Sequence, residues 1–372
     1  MKRTKAGLAL VAAAMTGLAL SGCGSDDNAA SPAGTGTTSG KADSAECAGK
    51  DTLTAEGSTA QQNAIAVFNQ VWGKQCSGKN LSYNPTGSGA GREQFIAGHV
   101  DFAGSDSPLS EAQVAEAADR CSQNPAWHLP LVFGPVSIAY HLDGVENLVL
   151  NGDVLARIFS GAITSWNDPA LVALNPGEEL PAIAITPIYR SDSSGTTDNF
   201  QKYLSAAAPH TWTKGEGSEF QGGVGEGAQK SAGVVQAVQS TPGAVGYVEK
   251  GFADQANLRS AMIDSGSGVV AATDESAGVA IQSAGFVSED SNDMRLDLRS
   301  LYGTKQAAAY PLVLVTYEIV CSKGYDPDTS AAVKSFLRTA STSGQDELSS
   351  AGYVRLPDQL KRRLSAAIDA IQ

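Results

Sequence analysis

Three short turns constrain this chain most: Gly57-Ser58-Thr59-Ala60, Gly87-Ser88-Gly89-Ala90 and Ser194-Gly195-Thr196-Thr197. Each falls where an extended run gives way to a helical one. A helix start carries unpaired N–H groups and the positive end of the macrodipole. Small residues let an anion approach that backbone, and Ser or Thr hydroxyls add donors. Around the first two turns the pattern is regular. Asp51 to Ala55 reads as a strand, and Ala60 to Trp72 carries Ala64, Ile65, Val67, Phe68 and Val71 at helical spacing. Leu81 to Asn84 is a second strand, followed by a helix from Arg92 to Ala97; Val100 to Ala103 is a third strand ending at Asp106. Ser110 is placed to cap the next helix. Strand, turn and helix in alternation predict an α/β domain with a mostly parallel sheet, in which ligands collect at the C-terminal strand ends.

Beyond this, Leu129 to Tyr140 is a long apolar run carrying Gly134-Pro135, and Tyr310 to Val320 is a second such run. Both suit strands that pass between two domains. Helical spacing returns at Val154 to Phe159, with a short helix or turn at Trp166 to Leu174. The strand Ile183 to Tyr189 delivers Arg190 to the third turn, and a helix over Thr197 to Ser205 follows. The Gly222–Gly227 loop enters a helix over Ala228 to Gln239; Pro242-Gly243 turns into the strand Ala244 to Val248. Ala331 to Ala340 and Leu360 to Ile371 are helical, the last completing the first domain.

The beginning of the chain reads as an address. Lys2, Arg3 and Lys5 precede the apolar stretch Ala6 to Leu20, which is short for a membrane span. It ends Leu20-Ser21-Gly22-Cys23, which resembles a bacterial lipoprotein signal and implies lipidation of Cys23 after removal of residues 1–22. Residues 23–46 hold almost no large apolar side chain and are expected to act as a flexible tether. The remaining cysteines, Cys47, Cys76, Cys121 and Cys321, suit two disulfides in an exported protein, with three pairings open. No Cys-x-x-Cys or paired-His spacing supports a metal, and no cofactor is expected. A net charge of −13 argues against nucleic acid as a partner. Any bound anion must then be held by local dipoles and one or two cations against the general field.

Several stretches together resemble the periplasmic phosphate-binding protein of the high-affinity phosphate ABC transporter. They are Gly-Ser-Thr at 57–59, Thr-Gly-Ser-Gly-Ala-Gly at 86–91 and Val-Asp-Phe-Ala-Gly-Ser-Asp at 100–106. They continue with Ser-Gly-Ala-Ile-Thr-Ser-Trp-Asn-Asp at 160–168, Leu-Asn-Pro-Gly at 174–177, Arg-Ser-Asp-Ser-Ser-Gly-Thr at 190–196 and Pro-Gly-Ala-Val-Gly-Tyr-Val-Glu at 242–249. The resemblance implies a two-lobed α/β periplasmic-binding-protein fold, type II or Venus-flytrap, with two crossing strands. Lobe 1 would be 47–133 with 311–372, and lobe 2 would be 134–310. It implies a phosphate site made of Ser58, Thr59, Ala60, Ser88, Asp106, Arg190, Ser194, Gly195 and Thr196, with Asp192 holding Arg190 from behind. Ala60 departs from some relatives, which carry a large aromatic there; a backbone donor needs no side chain.

These residue types suit phosphate. A tetrahedral oxyanion asks for many donors, which main-chain N–H groups, hydroxyls and a guanidinium supply. A carboxylate at Asp106 makes sense only if the ligand keeps a proton to give it; sulfate has none, so the site would reject it. The resemblance further implies a lipid-anchored, extracytoplasmic monomer that is not an enzyme and docks on a membrane permease. The alternatives are another oxyanion on the same fold, or a serine-type or phosphatase-like hydrolase. The hydrolase elbow Gly-x-Ser-x-Gly is absent around Ser88 and Ser194, and the nucleotide phosphate loop is absent altogether.

Overall fold

The computed structural model describes residues 46–372. The leader, Cys23 and all but the last residue of the tether lie outside the described residues.

The alternation read from the sequence is present. β1 (Thr52–Gly57) leads to α1 (Gln62–Gln75), β2 (Asn80–Asn84) to α2 (Ser88–Ile96), and β3 (Phe102–Ser105) to α3 (Glu111–Arg120). Ser110 caps α3 in a capping box with Gln113. β1 pairs in parallel with both β2 and β3. The long strand β4 (Ala126–Tyr140) follows, then β5 (Val149–Leu150), α4 (Gly152–Phe159) and α5 (Pro169–Leu174). The next units are β6 (Thr186–Arg190) with α6 (Gly195–Ala207), β7 (Glu226–Ala228) with α7 (Lys230–Ser240), and β8 (Ala244–Glu249) with α8 (Lys250–Gln255). Short strands β9 (Arg259–Ser260), β10 (Met262–Asp264) and β11 (Val269–Val270) precede α9 (Asp274–Ile281) and α10 (Leu298–Tyr302). β12 (Val313–Cys321), α11 (Pro327–Ser341), a 3₁₀ segment over Ser343–Ala351 and α12 (Asp358–Asp369) complete the chain.

Two corrections to the expected boundaries bear on the site. α2 begins at Ser88 rather than Arg92, and α6 at Gly195 rather than Thr197. The small turn residues are thus the first turns of the helices, where their low helix propensity costs least and their N–H groups remain unpaired. β7 was read only as a Gly-rich loop; it pairs in parallel with β6.

β4 joins the halves of the sheet, whose order is β2-β1-β3-β12-β4-β8-β6-β7. Its residues 126–135 run antiparallel to β12, and residues 136–140 antiparallel to β8. Pro135 stands at the changeover, opposite Val313. The flanking rung, from Val136 N–H to Leu312 O at 2.9 Å, is intact, so the proline sits where β12 asks for no donor.

Two large cores lie on either side of this changeover. The first gathers Phe68, Trp72, Phe102 and Phe336, and the second Phe159, Phe200 and Tyr247. Along β12 and its approach, Leu312 and Leu314 join the second core, whereas Val313 and Val315 join the first. The first core also takes in Ala277 and Ile281 of α9, which packs against β4 and β12, and Met294 and Leu301 beyond it. That stretch was expected within the second lobe.

The cysteines pair as Cys47–Cys76 and Cys121–Cys321. The second bridge closes a separation of 200 residues. In the chain-entropy account a loop of that size gives about 5 kcal/mol, against about 3.5 kcal/mol for the shorter one.

Candidate functional site

The three turns meet at Asp106. This residue ends the β3 stretch and is 2% exposed. Its Oδ1 accepts from Ser58 Oγ of the first turn at 2.6 Å and from Thr316 Oγ1 of β12 at 2.6 Å. Its Oδ2 accepts from Ser88 Oγ of the second turn at 2.9 Å. The third turn lies against the same pair: a Cβ on Gly195 would stand 2.7 Å from both Asp106 Oδ2 and Ser88 Oγ. Any side chain at 195 would therefore displace them. Counting lone pairs, Oδ1 is filled and Oδ2 retains one acceptor position. Burial pushes the Asp106 carboxyl up to about 6, against the pull of the Ser58, Thr316 and Ser88 hydroxyls.

Arg190, delivered by β6, is 3% exposed. Its Nε donates to Asp192 Oδ1 at 2.7 Å, and its Nη2 donates to Asp192 Oδ2. Burial works against the guanidinium's charge, but the Asp192 fork outweighs it and holds Arg190 above its ordinary value. Asp192 lies below the usual carboxylate range; burial opposes this, and Arg190 and the Lys230 N–H bring it about. That N–H reaches Asp192 Oδ1 at 3.0 Å from a backbone at φ 62°, an uncommon conformation for lysine. The expectation that Asp192 backs Arg190 thus has a direct geometric counterpart.

The other expected residues are buried around these two. Ser58, Thr59, Ala60, Ser88, Ser194 and Thr196 are each at most 2% exposed. Ser194 caps α6 by accepting from Thr197 N–H at 3.2 Å. Ala60 N–H donates to Ser58 Oγ at 3.0 Å, so this amide already has an acceptor. The N–H groups of Thr59, Ser88, Gly195 and Thr196 have no acceptor among the described residues. Ser88 and Gly195 lie against Asp106, and Thr59 follows its partner Ser58, while Arg190 Nη2 lies 3.8 Å from where a Cβ on Gly87, next to Ser88, would stand. Chemically, the arrangement offers donors to an oxyanion and one acceptor to a proton on it.

Several neighbours were missed in the sequence. Thr316 was hidden in a largely apolar strand, where its polarity, shared with Glu318, was its only signal. Asn199 Nδ2 donates to the Asp106 carbonyl at 2.7 Å. Glu249 Oε1 accepts from Thr196 Oγ1 at 2.6 Å. Tyr247 is buried, and its hydroxyl accepts from Arg190 N–H at 3.1 Å. Arg92 is a second buried cation, with Nη1 on Ser105 Oγ at 2.9 Å.

Contacts run directly between elements before β4 and elements after it. Gly89 N–H donates to Ser193 O at 3.1 Å, and Ser107 Oγ to Asp198 Oδ2 at 2.5 Å. Thr59 Oγ1 and Ser231 Oγ lie 2.8 Å apart, and Arg92 Nη2 reaches Ser218 Oγ at 3.3 Å. Two α/β halves, joined by crossing strands and meeting over a donor-rich centre, make this a two-lobed binding protein of the periplasmic type.

Comparison with known proteins narrows the class. Residues 31–339 match the PBP superfamily domain. The chain is 47% identical over 374 residues to phosphate-binding protein PstS 3 of Mycobacterium tuberculosis H37Rv, covering all of both chains. It is equally identical over 359 residues, 96% of each chain, to the PstS 3 of Mycobacterium leprae. Among solved structures, a high-affinity periplasmic phosphate-binding protein, PfluDING with bound phosphate, matches with a TM-score of 0.68 at 21% identity. That match covers 85% of this chain and 93% of that one, and shows the shared fold. The chain belongs to the PstS phosphate-binding proteins of the PBP superfamily.

Proposed function

We propose that this chain binds inorganic phosphate outside the cytoplasmic membrane and delivers it to the permease of an ABC transporter. In this reading it is a monomer held to the membrane by lipid on Cys23, and not an enzyme. Full-length identity of 47% to proteins named for phosphate binding supports the ligand. The lobes are 47–133 with 311–372 and 134–310, closing about β4 and β12; the separate cores support that division, with α9 added to the first.

One observation carries the reading. A buried carboxylate, Asp106, is placed among amide donors with one acceptor position left on Oδ2. Near neutral pH phosphate still offers a proton to that position, and sulfate brings only a further acceptor. An unsatisfied buried charged group costs upward of about 1–3 kcal/mol, enough to separate the two anions strongly. The N–H groups of Thr59, Ser88, Gly195 and Thr196 and the Ser194 hydroxyl would supply the donors, Ser58 and Ala60 having theirs engaged within the turn, and Arg190, fixed by Asp192, the charge.

Calorimetry with phosphate and sulfate tests this on Asp106→Asn. The amide can donate to an unprotonated oxygen, so the variant is expected to bind sulfate measurably and lose its preference. Unchanged rejection of sulfate by the variant would remove Asp106 from this role.

A further inference from the structure

A second acid lies beneath the site. Glu318, on β12, is 0% exposed, and neither of its carboxylate oxygens has a hydrogen-bond partner among the described residues. It stands opposite Gly104 of β3 and Leu129 of β4 in the sheet register. Gly104 leaves room above it: a Cβ there would lie 1.9 Å from Gln61 Nε2 and 2.9 Å from Tyr83 Oη. Gln61 therefore lies directly over this part of the sheet, and its own Oε1 is buried without a partner. Its Nε2 donates to Tyr83 Oη at 3.2 Å, and Tyr83 Oη donates to Ser58 O at 2.7 Å. Three orphaned acceptors, two on Glu318 and one on Gln61, thus sit under a relay that ends on the first anion turn.

We propose that Glu318 is a positioning residue of the anion site, which as the neutral acid donates to Gln61 and steadies the first turn through Tyr83. One proton supplies the donor those acceptors lack. When Glu318 ionises, its proton leaves to solvent. A second buried negative charge then faces Asp106 and the incoming anion, and the orphaned acceptors oppose one another. The titratable groups facing it are Tyr83 from β2 and Asp106 from the end of β3; Gln61, Gly104 and Leu129 carry no charge. Burial pushes the acid up to about 8, Gln61 opposing and Asp106 adding to the effect. It therefore holds its proton at neutral pH and releases it in mild alkali. By reciprocity, phosphate binding raises the affinity of Glu318 for that proton.

The inference rests on reading the Ser58 turn and Asp106 as the phosphate site. Its test is the calorimetric Kd for phosphate from about pH 6 to about pH 9, compared between the unmodified chain and Glu318→Gln. The ratio of the two cancels the titration of phosphate itself. The unmodified chain is expected to weaken relative to the variant as pH rises, by about tenfold for each unit by which phosphate raises the Glu318 pKa. A ratio that stays constant overturns the proposal. Infrared titration of the unmodified chain serves where the variant does not fold. A protonated carboxyl stretch is expected at neutral pH, lost in alkali at a midpoint that phosphate moves upward. No such band, or a midpoint indifferent to phosphate, also overturns it. Failure of the site reading looks different: Ser58→Ala and Asp106→Asn would leave phosphate and sulfate affinities unchanged, whatever Glu318 does.

Discussion

In the role proposed for it, Asp106 could test for a proton only while it is itself ionised. Its carboxyl is pushed up to about 6 by burial, so it is an acceptor at neutral pH and becomes a donor below that value. Protonated, it can satisfy an oxygen of sulfate, and the ground for rejecting that anion disappears. Competition of sulfate against labelled phosphate is therefore expected to be negligible near pH 7.5 and to grow as pH falls below about 6. Selectivity flat across that range would show that another group discriminates. The sequence exposed Asp106, Arg190 and Asp192 because they stand in short motifs among small residues. Thr316 and Glu318 alternate along a strand whose other residues are apolar, and no local pattern says where a polar side chain in a strand points. Their role depends on the pairing of β12 with β3, and so on residues some 210 positions apart in the chain.

At the scale of elements, helix packing fixes where the first turn stands. Trp72 of α1 meets Phe336 of α11 edge-on, with ring centroids 5.4 Å apart, and its Nε1 donates to Ser335 Oγ at 2.9 Å. Phe336 also stacks on Phe102 of β3, at 5.7 Å between centroids. One ring thus braces the helix after the first turn and the strand that ends near Asp106. Phe336→Ala is expected to cost about 3–5 kcal/mol, measured by denaturant unfolding. A loss under about 1 kcal/mol would mean that the site collapses to fill the space. The strands and most helices were legible from apolar spacing. The helix starts at Ser88 and Gly195 were not, since Gly and Ser argue against helix by propensity and only the tertiary setting overrides them.

At the scale of the whole molecule, the disulfide pairing could not be chosen from spacing. Cys121 at the end of α3 and Cys321 at the end of β12 are brought together in an apolar cluster with Ala117 and Ile319, a packing that no spacing reveals. The address at the chain's start is a separate matter, resting on Leu20-Ser21-Gly22-Cys23. With several acyl chains, each buried CH₂ contributing about 0.8 kcal/mol, anchoring would be stable. Cys23→Ala is expected to release the protein from membranes or to stall its processing, seen by fractionating cells. Full membrane retention of that variant would rule out the lipid.

Pro135 marks the place where β4 exchanges one neighbour for another, β12 before it and β8 after it. If the lobes open as proposed, bending there would leave the ladder on each side whole. Opening would have to break the contacts across the rim, Gly89 with Ser193, Ser107 with Asp198, Thr59 with Ser231, Arg92 with Ser218 and Asn199 with Asp106. A single small anion that drew contacts from both sides would add its own weight to that latch and settle which way the jaws rest.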